Sequence, residues 1–240
     1  MTILRSLLFN AFFLGGTAVV VLLGVPLLAF PPRVLTGFIR FWARMMIGAL
    51  RVICGIRLEV TGMENLPPGG SIIAAKHQSA FDTMVWLILV PNSVYVLKKE
   101  LLDIPFWGRL ARHCGHLSVD RQAGAAALRT LVRDTKERLA EGRPVVIFPE
   151  GTRTAPGERG TYQPGVAAMA AASGAPVVPA ATDSGRHWGR RAFRKSPGVI
   201  HVSVLPPLQV GLPRAALMAA LEDAIERETD RLLNPQGHCG

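Results

Sequence analysis

The chain has 240 residues, which is enough for one sizeable α/β domain and a short additional segment. Hydrophobic residues make up 49% of it, yet its formal net charge is +10 and its sequence pI is near 10.5. A composition that is both basic and apolar favours a membrane surface or an anionic substrate as the partner. Nucleic acid is not expected, because the sequence has no zinc-finger spacing, basic-region heptads or aromatic RNA-binding motif.

The N-terminal region contains an uncharged segment, Ala11–Phe30, with the sequence "AFFLGGTAVVVLLGVPLLAF". It is about as long as the hydrocarbon core of a bilayer requires, so we predict a membrane segment that either spans the bilayer or enters and returns. A cleaved signal peptide fits less well, since the apolar stretch is long and no cleavage site follows it. Pro26, Pro31 and Pro32 are expected to break the helix and turn the chain.

A second helix is predicted after this turn, in "RVLTGFIRFWARMMIGALRVICG". Four arginines fall within roughly 40° of one another on that helix, and the opposite side consists of large apolar residues. These arginines are Arg33, Arg40, Arg44 and Arg51. The pattern predicts a helix at the lipid headgroups, with Arg40, Arg44 and Arg51 facing the membrane. The alternative is the solvated face of an ordinary surface helix.

From Ile56 onward the pattern changes to short apolar runs that alternate with helical stretches. The runs predicted as strands are "IRLEVT", "SIIAA", "SVYVL", "PVVIF", "PVVPAAT" and "VIHVSVL", and the predicted helices are Arg121–Ala140, Gly165–Ser173 and Arg214–Leu233. This alternation predicts an α/β fold with a sheet covered by helices on both faces. We expect residues 1–54 to form a membrane-associated helical segment and residues 55–240 to form the catalytic domain.

The stretch "KHQSAFDT" places His77 and Asp82 in a short polar break between two apolar runs. Two positions five apart differ by about 140° on a helix, so His77 is expected in the turn before a helix that starts near Ala80 and is capped by Ser79. Asp82 in the first helical turn can then hold one ring nitrogen and leave the other free as a general base. "SAFD" also fits a capping box, in which case Asp82 is structural.

No good nucleophile accompanies this pair. Ser79 lies outside any G-x-S-x-G motif, and neither Cys54 nor Cys114 has a supporting histidine context. This favours direct transfer, in which the base deprotonates an alcohol that attacks an activated acyl group. Three scattered cysteines, with Cys239 the third, argue against disulfides and favour a reducing compartment.

A second polar cluster, "VVIFPEGTRT", ends another predicted strand. Its turn brings backbone amides together with Thr152 and Arg153, a set suited to phosphate because an arginine can bind it through two parallel hydrogen bonds. A polar loop with Arg153 in solvent is the alternative. The motif "HCGH", His113–His116, resembles a metal site loosely but lacks a second ligand pair, so we interpret it as a turn and expect no metal.

Together these stretches resemble the glycerolipid acyltransferase family. The matching blocks, in order, are the H-x-x-x-x-D motif His77–Asp82, "LKKELLDIPFWG" at Leu97–Gly108, "VDR" at Val119–Arg121, "FPEGTR" at Phe148–Arg153 and the strand "APVVPAA". The resemblance implies a mixed, largely parallel sheet covered by helices, preceded by an N-terminal membrane-embedded helical pair. The sequence departs from the family pattern at Lys76, at Ala80 and in "YQPG", which lacks a lysine that is common in the family.

The resemblance also implies roles for individual residues. His77 is the base for the acceptor hydroxyl and Asp82 is its orienting carboxylate. The acceptor and phosphate are expected to bind at Lys98, Glu150, Gly151, Thr152 and Arg153.

The implied reaction moves a fatty acyl group from acyl-carrier protein or acyl-coenzyme A to the 2-hydroxyl of lysophosphatidic acid and gives phosphatidic acid. No cofactor is implied, since a thioester is already activated. The expected partners are therefore membrane lipid, the lyso-lipid and the thioester, at the cytoplasmic side of the inner membrane. Alternatives are acylation of glycerol 3-phosphate or a lyso-ornithine lipid, a membrane-bound hydrolase that uses the same pair, or a lipid-binding module.

Overall fold

The computed structural model describes residues 1–120 and 123–234, and it has the predicted α/β architecture. The strands are β1 (Ile56–Thr61), β2 (Ile72–Ala75), β3 (Val94–Lys98), β4 (Leu117–Val119), β5 (Val145–Ile147), β6 (Val177–Thr182) and β7 (Gly198–Val204). The α-helices are α1 (Thr2–Gly24), α2 (Pro32–Ala49), α3 (Phe81–Leu89), α4 (Lys99–Leu102), α5 (Trp107–His113), α6 (Gly124–Ala140), α7 (Gly165–Ser173) and α8 (Arg214–Leu233).

The seven strands form one sheet in the order β1-β7-β6-β2-β5-β3-β4. Neighbouring strands are parallel throughout except for β6 and β7, which pair antiparallel. Helices cover both faces of the sheet: one core cluster joins it to α2 and α3, and another joins it to α6, α7 and α8. The predicted mixed, largely parallel sheet is therefore confirmed. The short strand β4 was not predicted, because three residues carry too little periodicity to be recognised.

The sheet topology brings the polar turns together. In the neighbouring strands β6, β2, β5 and β3 the chain runs in one direction, so all four carboxyl ends lie at the same edge. His77 follows β2, Phe148–Arg153 follows β5, Ser184 follows β6, and Lys98 is the last residue of β3. Residues far apart in the sequence thus meet at this edge.

The N-terminal helical pair is present, with bounds that differ from the prediction. Helix α1 begins at Thr2 rather than Ala11, and a 3-10 turn extends it to Ala29. The helix includes the polar residues Ser6 and Asn10, whose side chains have partners in the α/β domain. The Ser6 hydroxyl accepts a hydrogen bond from the Lys195 amide, and the Asn10 side chain binds the Phe193 carbonyl and Lys195 Nζ. By length and composition, Thr2–Ala29 is a candidate membrane span, and 6% of its most apolar stretch is fully buried.

Helix α2 buries the apolar face that lies opposite its arginines. The side opposite the arginines packs on the protein, through residues such as Ala43 and Met46 in the core that includes α3. Arg44 and Arg51 are exposed, while Arg40 is partly buried. A different apolar row lies exposed beside the arginines and comprises Val34, Phe41, Met45 and Val52. The helix therefore offers a basic row and an apolar row side by side.

Candidate active site

His77 and Asp82 meet at the carboxyl end of β2. Helix α3 begins at Phe81, which places Asp82 in its first turn, where a carboxylate is favourable. The Asp82 Oδ2 atom lies 3.1 Å from His77 Nδ1. This contact fixes Nδ1 as the protonated nitrogen and leaves Nε2 to accept a proton. His77 lies in the turn before the helix as predicted, and the helix begins one residue later than expected, with Ala80 rather than Ser79 at the N-cap position.

The Asp82 carboxylate is held by several donors. Besides His77 Nδ1, its Oδ2 accepts hydrogen bonds from the backbone amides of Gln78 and Ser79, at 2.7 and 2.8 Å. Its Oδ1 accepts a 2.6 Å hydrogen bond from the Ser184 hydroxyl. Asp82 therefore caps the start of the helix and orients His77 at once, so the two alternatives from the sequence describe the same residue. These donors satisfy the hydrogen-bonding capacity of a carboxylate that is buried.

The imidazole of His77 packs on a neighbouring ring, and the His77 backbone is tied to the loop after β5. Its ring stacks on Phe148 with centroids 4.0 Å apart, and its backbone carbonyl accepts a 2.9 Å hydrogen bond from the Thr154 amide. The side chain is only 13% exposed, and that exposure opens onto a cavity of about 520 Å³. A histidine held in this way is preorganised to act on a bound group.

The predicted phosphate loop reaches the same cavity. A turn closed by the Gly151 amide and the Phe148 carbonyl, 2.9 Å apart, places Gly151 at φ 64°, a conformation that favours glycine. Gly151, Thr152 and Arg153 all line the cavity, and Lys98 lines it from the end of β3. The structure thus brings four of the five predicted binding residues to the space beside His77.

Glu150 is the exception, because its side chain is buried away from the cavity. Its Oε2 accepts a 3.1 Å hydrogen bond from the His77 backbone amide. Its Oε1 binds Lys76 Nζ at 2.8 Å and the Thr154 hydroxyl at 2.9 Å. Both oxygens of Glu150 are therefore occupied, and its side chain holds the turn that carries His77 without lining the cavity.

Lys76 and Glu150 belong to a buried ionic network. Lys76 Nζ lies 2.7 Å from Glu226 Oε1 on α8, and Tyr162 donates a 2.8 Å hydrogen bond to the same oxygen. Burial beside Glu226 raises the pKa of the Tyr162 hydroxyl well above its usual value. An unpaired charge would be costly here, so the departure at Lys76 is matched by a partner on α8.

The remaining walls of the cavity are apolar. They are formed by side chains of the sheet and of α6, among them Val96, Val119, Leu128, Leu131 and Ile147. The lining of the cavity therefore combines cations and loop backbone with hydrocarbon. A long amphipathic substrate with an anionic head matches this combination.

The "HCGH" stretch serves the fold. His116 Nδ1 accepts a hydrogen bond from the Tyr95 amide at 3.1 Å, and burial lowers the pKa of His116 to about 4. His113 Nε2 contacts the Phe30 carbonyl at 2.9 Å. Within the described ranges 1–120 and 123–234, no group of three or more histidine, cysteine, aspartate or glutamate side chains could hold a metal.

Cys54 and Cys114 are buried and form no disulfide with each other. Cys239 and Arg121 lie outside the described ranges.

Some residues at the site were not predicted. Ser184 and Glu226 come from segments 102 and 150 residues away from the residues that they bind, Asp82 and Lys76. Arg190 and Arg191 line the cavity from the loop between β6 and β7. The arginine-rich stretch "RRAFRK" is visible in the sequence, but nothing local to it indicates that it reaches the site.

The fold, and the histidine–aspartate pair beside the cavity, are those that the resemblance to an acyltransferase implies. Residues 57–183 match the family model described as Acyltransferase, and the chain belongs to this family. The resemblance deduced from the sequence is thereby confirmed.

Three comparisons illustrate its relatives. The chain is 38% identical over 167 residues to a 1-acyl-sn-glycerol-3-phosphate acyltransferase of Pseudomonas aeruginosa, which covers 70% of this chain and 65% of that protein. It is 31% identical over 167 residues to the enzyme of the same name from Limnanthes alba, covering 68% and 59%. The fold is similar to the crystal structure of the 1-acyl-sn-glycerophosphate (LPA) acyltransferase PlsC from Thermotoga maritima, with a TM-score of 0.78 and 22% identity over 97% of this chain and 98% of that chain.

Proposed function

We propose that this protein transfers a fatty acyl group from a thioester to the 2-hydroxyl of lysophosphatidic acid. The observation that carries the proposal is the position of His77, which is oriented by Asp82 at a cavity lined by both cations and hydrocarbon. Only an acceptor with a free hydroxyl, an anionic head and an acyl chain uses all of these features. The relatives from Pseudomonas aeruginosa and Limnanthes alba carry the name of this activity.

In the proposed reaction His77 Nε2 removes the proton of the acceptor hydroxyl as its oxygen attacks the thioester carbonyl. The carbon–sulfur bond then breaks and the ester forms. The leaving thiolate takes the proton from His77 and departs as the thiol. Asp82 stabilises the imidazolium that exists between these steps. A thioester is already activated, so this mechanism requires no covalent acyl-enzyme and no cofactor.

We assign the acceptor phosphate to Lys98, Gly151, Thr152 and Arg153, which share the cavity with His77. The arginine supplies a planar pair of donors, and the glycine gives the phosphate close access to the backbone. Glu150 receives a different role. It holds the His77 amide and Lys76, so it is a positioning residue in this proposal.

The test is acyl transfer by the purified full-length protein in detergent, with a labelled acyl thioester and a panel of acceptors. Phosphatidic acid as the product from lysophosphatidic acid supports the proposal. Preference for glycerol 3-phosphate or a lyso-ornithine lipid would identify a different acceptor. Release of free fatty acid alone would identify a hydrolase. Acyl-coenzyme A and acyl-carrier protein, compared as donors in the same assay, identify the physiological thioester.

We also propose that residues 1–54 attach the catalytic domain, residues 55–240, to the cytoplasmic face of the inner membrane. Helix α1 packs on the protein from Phe9 to Gly24, while its other face exposes apolar residues such as Leu4 and Leu14. A helix packed along its length on the domain lies along a membrane surface more readily than across it. Protease accessibility in spheroplasts and in inverted vesicles tests the side.

The arginines of α2 provide a measurable part of this attachment. Each arginine near an anionic surface contributes about 1 kcal/mol, so Arg40→Gln, Arg44→Gln and Arg51→Gln together should weaken binding to anionic vesicles by about 10²-fold. Binding to neutral vesicles should change little. Vesicle co-sedimentation of the full chain measures both.

The matched control removes three charges on the opposite side of the sheet, in α6 and α8: Arg133→Gln, Lys136→Gln and Arg227→Gln. It should bind vesicles as the unmodified protein does. Equal binding by the α2 variant and the control would show that the arginine row faces solvent.

A further inference from the structure

A second pair of cations reaches the cavity from outside the blocks that resemble the family. Arg190 and Arg191 belong to the loop between β6 and β7, and both line the cavity. Arg190 Nη1 donates a 3.3 Å hydrogen bond to the backbone carbonyl of Arg153. The pair therefore adjoins the phosphate loop and adds two cations to the cavity lining.

The charges in the cavity lining are unbalanced. Lys98, Arg153, Arg190 and Arg191 contribute four positive charges, and Asp120 is the one acidic residue among the described residues that line the cavity. Asp120 already pairs with Lys99 at 2.9 Å. Over residues 1–120 and 123–234 no salt bridge involves any of these four cations. Clustered cations without counter-charges create a potential that attracts an anion.

The loop that carries the pair is fixed on helix α1. The Trp188 ring meets Phe9 and Phe13 edge to face, with centroids 5.3 and 5.2 Å apart. The Lys195 amide donates a 2.9 Å hydrogen bond to the Ser6 hydroxyl. One side of the loop thus rests on the apolar helix while the other carries Arg190 and Arg191 into the cavity.

Exposed apolar side chains lie near the cavity and on the segments that contact α1. Phe193 is exposed on the arginine loop, where its carbonyl accepts a hydrogen bond from Asn10. Leu101 is exposed and also lines the cavity, and Ile104 and Phe106 are exposed before α5, which contacts the other end of α1. Exposed apolar side chains therefore lie both in the cavity lining and on segments that contact α1.

Arg191 adopts φ 56°, a left-handed backbone conformation that is unfavourable for a residue other than glycine, asparagine or aspartate. Such a conformation persists only where the surrounding structure determines it. The anchored loop provides that constraint, and it directs two consecutive arginines to one place.

We propose that Arg190 and Arg191 bind the phosphate of an anionic lipid as it enters the cavity from the bilayer. This inference deepens the proposed function and rests on it for the identity of that lipid. The shared chemistry is a phosphate ester, which the lyso-lipid acceptor and the thioester donor both carry. The loop's contact with α1 and the apolar flanks favour the lipid, and the experiment separates the two sources.

Two variants test the pair in the full chain. Arg190→Gln removes one guanidinium, and Arg191→Asn removes the other with a residue that tolerates a left-handed conformation. The control is Arg194→Gln, which removes the same charge from an exposed position of the same loop outside the cavity lining. Lysophosphatidic acid is presented in phosphatidylcholine vesicles, so that the carrier lipid is neutral, and acceptor and acyl-coenzyme A are varied in turn.

We expect the apparent KM for lysophosphatidic acid to rise about tenfold for each variant, as loss of a charge-assisted hydrogen bond predicts. The KM for acyl-coenzyme A, the vesicle binding and the behaviour of the control should stay near those of the unmodified protein. A rise in the KM for the thioester with an unchanged acceptor KM would overturn the proposal. So would an equal effect of Arg194→Gln, which would indicate a general charge effect.

A binding measurement separates this inference from the proposed function. In a His77→Ala background, calorimetric binding of a short-chain, water-soluble lysophosphatidic acid should weaken about tenfold on adding Arg190→Gln. The same change should leave binding of the matching monoacylglycerol, which has no phosphate, unaltered. Arginine-dependent binding without acyl transfer by the unmodified protein would refute the proposed function alone. Binding that is indifferent to Arg190 would refute this inference alone.

Discussion

The part of the chain that the structure describes contains two histidine–aspartate pairs that look alike locally and differ in their surroundings. His77 Nδ1 lies 3.1 Å from Asp82 Oδ2, and His201 Nδ1 lies 2.8 Å from Asp183 Oδ2. Both carboxylates are 2% exposed. In the second pair, however, the histidine lies on β7, its side chain is 40% exposed, and its Nε2 faces Glu59 at 3.8 Å.

The two pairs differ in that the histidine of the first pair lines the cavity and the histidine of the second pair does not. His77 stacks on Phe148 beside Arg153, whereas His201 is absent from the cavity lining. Proximity of a carboxylate orients an imidazole in both places. Catalysis also requires a bound substrate within reach of the free nitrogen, so the pair alone does not define an active site.

The strongest test of this contrast replaces each histidine with alanine. His77→Ala should lower turnover by about 10² to 10⁴, the usual contribution of a positioned base. His201→Ala should keep turnover close to that of the unmodified protein, because the ring does not reach the cavity. Initial rates of acyl transfer, with circular dichroism to confirm folding, measure both. Near-normal transfer by His77→Ala would reverse the assignment.

The two aspartates give the next largest contrast. Asp82→Asn puts an amide against donors that need an acceptor and favours the wrong ring tautomer, so turnover should fall by about 10² or more. Asp183→Asn should reduce thermal stability, since it disturbs two hydrogen bonds to His201, and leave turnover largely intact. Steady-state kinetics and thermal unfolding of both variants distinguish these outcomes. Comparable losses of turnover would mean that the pairs are coupled.

Arg153 tests the anion-binding part of the contrast. Arg153→Lys keeps the charge but loses the planar pair of donors, so the KM for the acceptor should rise roughly tenfold with little change for the donor. Arg153→Ala should be worse. The control is Arg227→Lys on the exposed surface of α8. An unchanged acceptor KM with an altered donor KM would place Arg153 at the phosphates of the thioester.

The smallest expected effect concerns the Ser184 hydroxyl, which has no counterpart at the second pair. Ser184→Ala leaves Asp82 Oδ1 without this donor, so the free energy of unfolding should fall by about 1 to 3 kcal/mol. Turnover should fall several-fold while the KM of both substrates stays unchanged. The matched control is Ser173→Ala at the end of α7. A changed acceptor KM would show that Ser184 contacts the substrate instead.

Much of the fold could be predicted because it depends on local patterns. Six of the seven strands and the helices α7 and α8 were predicted within a few residues, since apolar runs and helical spacing decide them. The N-terminal helix was predicted too short, because Ser6 and Asn10 resemble the end of an apolar segment. Their partners, Lys195 and the Phe193 carbonyl, lie about 185 residues further along the chain.

The sequence by itself determined the family and the histidine–aspartate contact, because five residues of turn and first helical turn bring His77 and Asp82 together wherever the segment lies. Only the tertiary structure decided which of the neighbouring polar residues face the cavity. Glu150 and Arg153 are three residues apart, yet one is buried on Lys76 and the other lines the cavity. Arg190 and Ser184 reach the site because the sheet order sets the carboxyl end of β6 beside that of β2. Strand order is fixed by burial summed over the whole core, which no short stretch of sequence specifies.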